Sequence, residues 1–416
     1  MKFSPTSKLL SWLPKLNPQI WILATGRLLS EVGTGFTMFY APIFFVNQLH
    51  FSSTQVGFAL GSASISGVVG RILSGSFSDS HLWGRRRTLL LSSAICAIAS
   101  LALAVTNTIS MLVIANLLMG LGIGLYWPAT EAVVADLAQG EERKEAYALT
   151  RLADNLGLGL GIVFGGVLIG TTGIYRALFV IDAISFVVFF GVVYVKVTET
   201  SRSIVCEKQP INSWASALRD RRLLVFVLVN IIFTTYMSQL HSTMPLYFSK
   251  FVPATPSGNG FSATTISALF SWHLIVSIIC QLPVARTLRR FSHPNALTVS
   301  SLLWGVGFIL IGFSGIAPSG HLLWAILGMG VLAIAIVSYT PSASSLVTDL
   351  APEPQRGVYL SINSLCWAVG YFIGPPLGGW ALDQPRFVVD SFWLALALSI
   401  GVTIAILQYL NRLLHE

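Results

Sequence analysis

The chain has 416 residues, of which 54% are hydrophobic and only 10% are charged, against roughly 25% charged in an ordinary soluble domain. So little charge excludes a soluble globular domain, because the polar side chains cannot cover its surface. The net charge of +8 would be compatible with a nucleic-acid partner. The basic residues lie between apolar stretches, however, and form no stripe with interleaved aromatics, so we expect no nucleic-acid partner.

Apolar stretches of helical length follow one another along the chain. A bilayer core of ~30 Å needs about 20 apolar helical residues. Long charge-free intervals, such as those between Arg87 and Glu131 and between Arg290 and Asp349, hold one or two such helices each. Apolar length and turn residues predict twelve membrane-spanning helices, numbered here as spans 1 to 12. Their predicted ranges are 20–46, 54–78, 88–106, 109–137, 145–170, 175–196, 222–250, 262–285, 295–316, 320–349, 356–382 and 390–411.

The basic residues indicate which way the spans run. Alternate loops and the two termini hold 19 of the 25 Lys and Arg residues, and three more lie within spans. The opposite loops hold only Arg176, Lys250 and Arg386. Because positively charged loops stay in the cytoplasm, we expect both termini to be cytoplasmic and the protein to be integral to the cytoplasmic (inner) membrane.

The chain divides near its middle and repeats itself. Its longest polar stretch predicts a cytoplasmic linker over 197–221, between an N-terminal six-helix bundle over 1–196 and a C-terminal one over 222–416. Residues 128–166 align without a gap on residues 341–379, with eleven identities in 39 positions at an offset of 213. The halves are therefore parallel repeats, an arrangement that places substrate sites near the midplane between them.

The connection between spans 2 and 3, GSFSDSHLWGRRR, resembles the loop signature of the major facilitator superfamily. The fixed places of that signature are filled by Gly75, Asp79, Gly84, Arg85 and Arg86. Ser80 replaces a usual basic residue, and two extra residues follow Asp79. The resemblance implies an all-α integral membrane fold of twelve helices in two pseudo-symmetric six-helix bundles, with a loop that locks the cytoplasmic gate. Asp136, at the end of span 4, is the expected partner of a loop arginine.

Two glycine-rich stretches occupy spans 5 and 11. The stretch in span 5 is similar to the signature of the superfamily's antiporter branches, which implies a role in gating. Close helix packing is the alternative, since small residues four apart let helices approach. The residues are Gly157, Gly161, Gly165 and Gly166 in span 5, and Gly370, Gly374, Pro375, Gly378 and Gly379 in span 11.

Six ionisable residues fall inside spans of the first half, where each costs ~2.5–3.5 kcal/mol on insertion scales. They are Arg27, Glu31, Arg71, Glu131, Arg151 and Asp154. Arg27 shares a helical face with Glu31, and Arg151 shares one with Asp154. Two interpretations stay open: a proton binds reversibly at one of the carboxylates during transport, or the charges form a static salt-bridge cluster. Asp182 in span 6 lies nearer the opposite side of the membrane.

The superfamily's cavity is lined by spans 1, 4, 7 and 10, so the resemblance implies a substrate site there. An aromatic wall with few polar groups suits an amphipathic or aromatic solute. His241 is either a ligand contact or a satisfied core histidine. The candidates are Thr34, Tyr40, Tyr126, Trp127, Asn155, Tyr236, Gln239, His241, Trp272, Tyr339 and Trp367.

These features predict a secondary transporter that moves a small solute by alternating access. The leading hypothesis is proton-coupled efflux of small amphipathic compounds. The alternative is uptake or facilitated transport of a metabolite such as a sugar or organic anion, and a non-transporting sensor is a third possibility. The expected partners are the solute, protons and the lipid bilayer, with the chain a monomer.

No enzyme activity is expected from this sequence. No lysine follows a glycine, as a phosphate loop requires, and no Gly-x-Ser-x-Gly motif is present. The four cysteines are scattered without a Cys-x-x-Cys pair, which gives no reason to expect a metal or another cofactor.

Overall fold

The computed structural model describes residues 16–78, 80, 83–138, 140–199, 215–255, 258–288, 290–352 and 355–415. Long helices fill nearly all of this chain, in the predicted order and within five residues of the predicted ends. Spans 1 to 6 are Pro18–Gln48, Ser53–Ser78, Gly84–Val105, Ile109–Leu137, Gly140–Thr172 and Arg176–Lys196. Spans 7 to 12 are Arg221–Lys250, Ala263–Leu288, His293–Ile316, His321–Leu350, Arg356–Leu382 and Arg386–His415. The prediction of an all-helical membrane fold is confirmed.

Eleven helical segments of the described chain are long and apolar enough to cross a membrane. Span 11 is the remaining long helix, and its Asn363, Pro375 and Pro376 dilute its apolar content. Some helices begin at a side-chain cap: Thr108 Oγ1, for example, accepts a hydrogen bond from the N–H of Met111 at the start of span 4. A helix satisfies most of its backbone hydrogen bonds internally, which a bilayer requires.

The two halves pack their spans in the same pattern. Span 1 lies against spans 5 and 6, span 2 against span 4, and span 3 against spans 4 and 6. In the second half, span 7 lies against spans 11 and 12, span 8 against span 10, and span 9 against spans 10 and 12. The halves meet mainly along two contacts, named here the 2–11 seam and the 5–8 seam after the spans that form them, and spans 1 and 7 also touch toward the far end. The pseudo-symmetry predicted from the repeat is confirmed.

The two ends of the bundle differ. The linker end carries the connections near residues 79–83, 139, 197–220, 289–292 and 351–355, and the far end carries the opposite set of loops. One far-end loop, between spans 7 and 8, forms a small antiparallel hairpin of β1 (Pro253–Thr255) and β2 (Gly258–Asn259). This hairpin is the part of the described fold that the all-helical prediction did not include.

Spans 1 and 7 are both interrupted toward the far end. The first helix of span 1 ends at Met38 and a second begins at Tyr40, before a π-helical turn over Phe44–Gln48. The first helix of span 7 ends at His241, and a second begins at Thr243. Since spans 1 and 7 are repeat equivalents, the two interruptions lie at equivalent depths. Interrupted helices of this kind line the substrate and ion sites of many transporters.

The glycine-rich stretches pack helices closely inside each half. A side chain on Gly157 or Gly161 would collide with the backbone of span 1, and one on Gly370 or Gly374 would collide with side chains of span 7. The equivalent glycines therefore serve the same contact in both halves. Gly165 packs against the ring of Tyr40 in the same way.

The last members of these stretches form the seams. A side chain on Gly166 would meet Ser267 of span 8, and one on Gly379 would meet the backbone of Ser53 in span 2. Gly378 packs on span 7 and Pro375 lies against Gly57 of span 2. Close packing therefore accounts for every position of the two stretches, and a role in gating stays a prediction.

Candidate transport site and gates

The loop signature ties spans 3, 4 and 6 together at the linker end. Arg85 forms an ion pair with Asp136, the expected partner, and its Nη1 donates to the Ala132 carbonyl at 3.2 Å. Glu199, just after span 6, accepts hydrogen bonds from the backbone N–H groups of Arg85 and Arg86 at 2.9 and 3.1 Å. A carboxylate at the start of a helix is favourable because the helix dipole is positive there.

Gly84 makes this arrangement possible. Its φ of +77° lies in the left-handed region, and a side chain on it would stand 2.5 Å from the Glu199 carboxyl group. Gly75, the first glycine of the signature, has open space around it instead. Asp79 lies outside the described residues, so its predicted part in locking the gate stays untested.

The second half has an equivalent contact between a basic side chain and a carboxylate. Asp349 is the repeat partner of Asp136, and its Oδ2 lies 3.0 Å from His293 Nε2 at the start of span 9. The pair thus takes the place of Arg85–Asp136, with a histidine instead of an arginine. The sequence did not predict this contact, because the loop before span 9 contains no acid and the carboxylate comes from span 10.

The charged side chains inside the first half form ion pairs between different helices, and not with the residues that share their own helical face. Arg27 is 2% exposed and forms a bidentate pair with Asp154 of span 5, with Nε donating to Oδ1 at 2.8 Å and Nη2 donating to Oδ2. The guanidinium also lies over the rings of Tyr126 and Trp127, at 5.5 and 5.2 Å. Charge, hydrogen bonds and ring contacts therefore hold Arg27 in one place.

A second, exposed pair lies nearer the linker end. Arg151 Nη2 is 3.2 Å from Glu131 Oε1, and the two side chains are 61% and 48% exposed. Arg151 also lies 5.4 Å from the Trp127 ring, so Trp127 stands between both arginines of the cluster. Arg71 instead reaches across the 2–11 seam, where its Nη1 donates to Ser364 Oγ at 3.0 Å.

Glu31 differs from the other two carboxylates of the group. It is half-buried in span 1, and its carboxylate makes no hydrogen bond or ion pair with any part of the chain that the structure describes. Arg27, which lies on the same helical face as Glu31, forms its ion pair with Asp154 instead. Glu31 is thus the candidate carboxylate that is free to bind a proton without first breaking a pair.

Three predicted cavity residues are enclosed within the second bundle. Tyr236 hydrogen-bonds Ser399 at 2.5 Å, Gln239 Nε2 donates to the Gly374 carbonyl at 2.9 Å, and the Tyr339 hydroxyl donates to Asn230. All three are at most 2% exposed. They join spans 7, 10, 11 and 12, and none is open to a solute in this structure.

Two further candidates use their polar atoms to join neighbouring spans. The Tyr40 hydroxyl donates to the Ile162 carbonyl at 3.0 Å and so joins span 1 to span 5. Trp272 Nε1 donates to the Ile326 carbonyl at 3.0 Å, between spans 8 and 10, away from spans 1 and 4. Five of the candidates are at least partly exposed: Thr34, Trp127, Asn155, His241 and Trp367. Tyr126 is buried beside Arg27.

An aromatic row crosses the junction of the two halves at the helix interruptions. The ring of Phe39, between the two helices of span 1, lies 4.3 Å from Phe270 and 5.3 Å from His241 at the end of the first helix of span 7. Tyr371 stacks on His241 at 6.1 Å and on Trp367 at 6.0 Å. We call Phe270, Phe39, His241, Tyr371 and Trp367 the aromatic row.

The aromatic row is buried at one end and accessible at the other. Phe39 and Phe270 are enclosed, whereas His241, Tyr371 and Trp367 are half-exposed. His241 Nδ1 is buried and has no hydrogen-bond partner among the described residues. The row therefore offers apolar ring faces together with one unsatisfied polar atom, as ligand pockets commonly do.

Sequence reasoning found His241 and Trp367 but missed Phe39, Phe270 and Tyr371. One signal was present: Trp367 and Tyr371 are four residues apart and therefore share a helical face. The contact between Phe39 and His241 had no such signal, since it depends on how the halves meet.

A carboxylate closes the 2–11 seam at the far end. Asp383, just after span 11, accepts hydrogen bonds from the N–H groups of Ser53 and Thr54 at 2.8 Å each and from the Thr54 hydroxyl at 2.6 Å. Burial opposes its ionisation, but the bonds from Thr54 and Ser53 outweigh burial and lower the pKa of Asp383. We call this contact the Asp383 latch. Asn47 and Ser249, whose side chains are 3.3 Å apart, also join the halves there.

The Asp383 latch predicts a measurable shift in conformation. Asp383→Ala removes a carboxylate from a helix start, a contact of ~0.3–1 kcal/mol at an exposed position, so the far-end-open population should rise about 2- to 5-fold. Spin labels on the far-end loops over 48–53 and 382–386 would report this as a longer distance, with Gln384→Ala as the control. Unchanged distances in Asp383→Ala would show that the latch does not hold the seam.

Low pH should also weaken the Asp383 latch and raise the far-end-open population. Because the pKa of Asp383 is lowered in the closed state, the latch is fully formed above the ordinary pKa of an aspartate and is lost as the pH falls through the lowered pKa. Acidification of the far-end side should therefore lengthen the same distance in the unmutated protein, and Asp383→Ala should abolish that response.

Two pseudo-symmetric helical halves with interrupted spans at their junction are the architecture of a membrane transporter. A family model agrees: the Major Facilitator Superfamily model matches residues 23–252 and 248–413. The chain belongs to the Major Facilitator Superfamily, and the family prediction is confirmed.

Several characterised relatives match nearly the full chain at low identity. A Na(+), Li(+), K(+)/H(+) antiporter of Planococcus maritimus is 24% identical, covering 85% of this chain and 89% of its own. Multidrug resistance protein MdtH of Aeromonas hydrophila is 24% identical, with coverage of 93% and 94%. The nucleoside transporter NupG superimposes with a TM-score of 0.78 at 14% identity, covering 95% of this chain and 99% of its own, which supports the fold alone.

Proposed function

We propose that this chain exports small, planar, partly apolar compounds in exchange for protons, by alternating access. In this proposal the protein lies in the cytoplasmic membrane with the linker end and both termini in the cytoplasm. The observation that carries the proposal is the position of an unpartnered carboxylate, Glu31, on the same interrupted span as Phe39 of the aromatic row. The two lie eight residues apart, or ~12 Å along a helix.

Glu31 is the group we assign to proton coupling. Asp154 is held by two hydrogen bonds from Arg27, and Glu131 is paired with Arg151. An ionised carboxylate without a partner in an apolar setting is costly, so binding a proton changes the energy of Glu31 more than that of a paired acid. Protonation on one side of the membrane and release on the other would then bias the rocking of the halves.

The aromatic row is the surface we assign to the solute. Ring faces bind flat apolar compounds by stacking and attract cations through their quadrupole. The accessible rings, those of His241, Tyr371 and Trp367, come from the second half, and Phe39 of the first half packs directly behind His241. A bound compound would therefore lie beside the contact between the two moving bodies. That position is the one that alternating access requires.

The relatives support the same reading. One is named for the exchange of alkali cations against protons and another for multidrug resistance. Uptake or facilitated transport of an organic anion, the alternative, would use Arg27 or Arg151. Two nitrogens of the Arg27 guanidinium already donate to Asp154. Arg151 is paired with Glu131 but is 61% exposed, so it is the arginine that such a solute could reach.

The test is driven transport in vesicles that contain only this protein. With an acidic lumen, the planar cationic dye ethidium should accumulate inside against its gradient, and a protonophore should abolish the accumulation. Dye movement that persists unchanged after the gradient is collapsed would exclude proton coupling and favour a facilitator.

The same assay tests the aromatic row. Tyr371→Ala removes a ring that stacks on both His241 and Trp367, and a stacking contact is worth ~0.5–1.5 kcal/mol. The half-saturating dye concentration should therefore rise about 2- to 10-fold. Tyr409→Ala, which removes a tyrosine of span 12 outside the row, should leave it unchanged. Equal effects of the two variants would place the dye elsewhere.

A further inference from the structure

A cavity lies at the linker end of the second half, apart from the groups assigned to the solute and to the proton. It has a volume of about 540 Å³ and lies between the linker ends of spans 7, 9, 10 and 12. A volume of this size suits a small molecule. The polar lining includes Asp220, Arg222, His293 and Asp349, and the apolar lining includes Leu346 and Leu414.

The cavity lies beside the contact that corresponds to the Arg85–Asp136 pair of the first half. Arg85, near the start of span 3, and Asp136, at the end of span 4, have side chains that are only 9% and 12% exposed. His293, at the start of span 9, and Asp349, at the end of span 10, are 39% and 65% exposed. The first half therefore encloses its carboxylate, whereas the second half leaves its carboxylate open to the cavity.

The charged groups that line the cavity are unbalanced. Two carboxylates face a single guanidinium, that of Arg222, and His293 adds a positive charge only when it is protonated. Asp220 is held in place, because its Oδ1 accepts a hydrogen bond from the Arg222 N–H at 2.9 Å and its Oδ2 accepts one from the Tyr359 hydroxyl at 2.6 Å. Among the described residues, Asp349 contacts no basic side chain other than His293. The cavity thus favours a cation, and Asp349 is the group that would bind it.

Span 9 also begins without the cap that span 3 has. In the first half, Glu199 accepts hydrogen bonds from the N–H groups of Arg85 and Arg86. In the second half, the side chain of Ser292, the residue before span 9, makes no capping hydrogen bond. Spans 9 and 10 are therefore joined at the linker end by fewer charged contacts than spans 3 and 4 are.

We propose that this cavity binds a small organic cation that carries a guanidinium group on a short apolar chain. The guanidinium would bind Asp349 as Arg85 binds Asp136, because its planar fork of donors matches a carboxylate. The apolar chain would lie against Leu346 and Leu414. Bound there, the cation would fasten span 9 to span 10 in the way that Arg85 fastens span 3 to span 4.

The test uses n-butylguanidinium as the probe and n-butylurea, which has nearly the same shape but no charge, as its control. Thermal unfolding of the full-length protein is followed at pH 8 in a nonionic detergent. The midpoint should rise with the logarithm of the butylguanidinium concentration, as it does for any ligand of the folded state. It should not rise in butylurea.

Three variants locate the bound probe. Asp349→Asn removes the charge that the guanidinium would bind, so binding should weaken about 10-fold or more. His293→Arg supplies a guanidinium from the chain itself, so the midpoint should rise without any ligand and the response to butylguanidinium should disappear. Glu142→Gln, at an exposed carboxylate of the linker end outside the cavity, should keep the full response.

Three results would overturn the site. A midpoint that does not respond to butylguanidinium means that no such compound binds, even if an arginine of the chain itself fills the place. An equal rise in butylurea means that only the apolar chain binds. An unchanged response in both Asp349→Asn and His293→Arg puts the probe elsewhere. Because no measurement involves dye or a proton gradient, a failure here leaves the proposed export function to be judged by its own experiment.

Discussion

Arg27→Ala should lose most of its folded yield. The substitution leaves Asp154, which is 8% exposed, as an uncompensated buried charge. Removing one partner of a buried ion pair costs ~3–5 kcal/mol, a large share of the stability of a typical protein. The measurements are the monodisperse yield after detergent extraction and the midpoint of thermal unfolding.

The exposed pair of the same cluster is the matched control. Arg151→Ala breaks the pair with Glu131, but both side chains are about half exposed or more, so its cost should stay within ~1 kcal/mol. The double variant Arg27→Leu with Asp154→Leu should recover much of the yield lost in Arg27→Ala, because it removes both charges together. An Arg27→Ala protein that folds normally but no longer transports would assign Arg27 to the transport cycle instead.

Glu31→Gln should abolish proton-driven accumulation of dye while the protein still folds. Glutamine has nearly the same shape as a protonated glutamate, and Glu31 has no partner among the described residues that the change would strand. Exchange of dye across the membrane without a gradient should survive, since the aromatic row is untouched. Accumulation in acid-loaded vesicles and exchange of preloaded dye are the two measurements.

Glu131→Gln makes the same chemical change in the exposed pair of Glu131 with Arg151. This variant should still accumulate dye when a proton gradient is imposed. Loss of accumulation in Glu131→Gln with its retention in Glu31→Gln would reverse the assignment of the coupling residue. A lowered folded yield in Glu31→Gln would instead support the static-cluster interpretation for all six charges.

Hydrophobic length made the spans predictable, because a bilayer requires about 20 apolar residues wherever a helix crosses it. The partners of the charges were not predictable in the same way. Arg27 stands one helical turn from Glu31, yet it binds Asp154, since the rotation of span 1 turns its guanidinium toward span 5. Periodicity fixes which residues of one helix share a face, but not which helix that face meets.

The same limit explains the enclosed cavity candidates. Tyr236, Gln239 and Tyr339 are aromatic or polar residues of spans 7 and 10, as a cavity lining would be, but they face other helices of the second bundle. Conversely, Phe39 joins the aromatic row at the interruption of span 1, and Pro42 explains that interruption, because a proline has no N–H to donate to the carbonyl four residues earlier, here that of Met38. Pro245 stands in the same relation to His241, where the first helix of span 7 ends. The prolines are visible in the sequence, but the contact between Phe39 and His241 is not, since it depends on how the halves meet.

The Asp383 latch has no counterpart across the pseudo-symmetry axis. By the repeat offset of 213, the residue of the first half that corresponds to Asp383 is Gly170. Gly170 faces Thr264 of span 8, just as Asp383 faces Thr54 of span 2. An aspartate at Gly170 would require Thr264 to move, because the Thr264 methyl group lies 2.6 Å from the place where the Cβ atom would stand. One seam is therefore fastened by a carboxylate, whereas the other is held by close contact and by the Ser267 hydroxyl, which donates to the Ile162 carbonyl at 3.0 Å. Because an ionised carboxylate accepts stronger hydrogen bonds than a carbonyl does, we expect the 5–8 seam to part more readily than the 2–11 seam, so that the two halves open unevenly about the latched side.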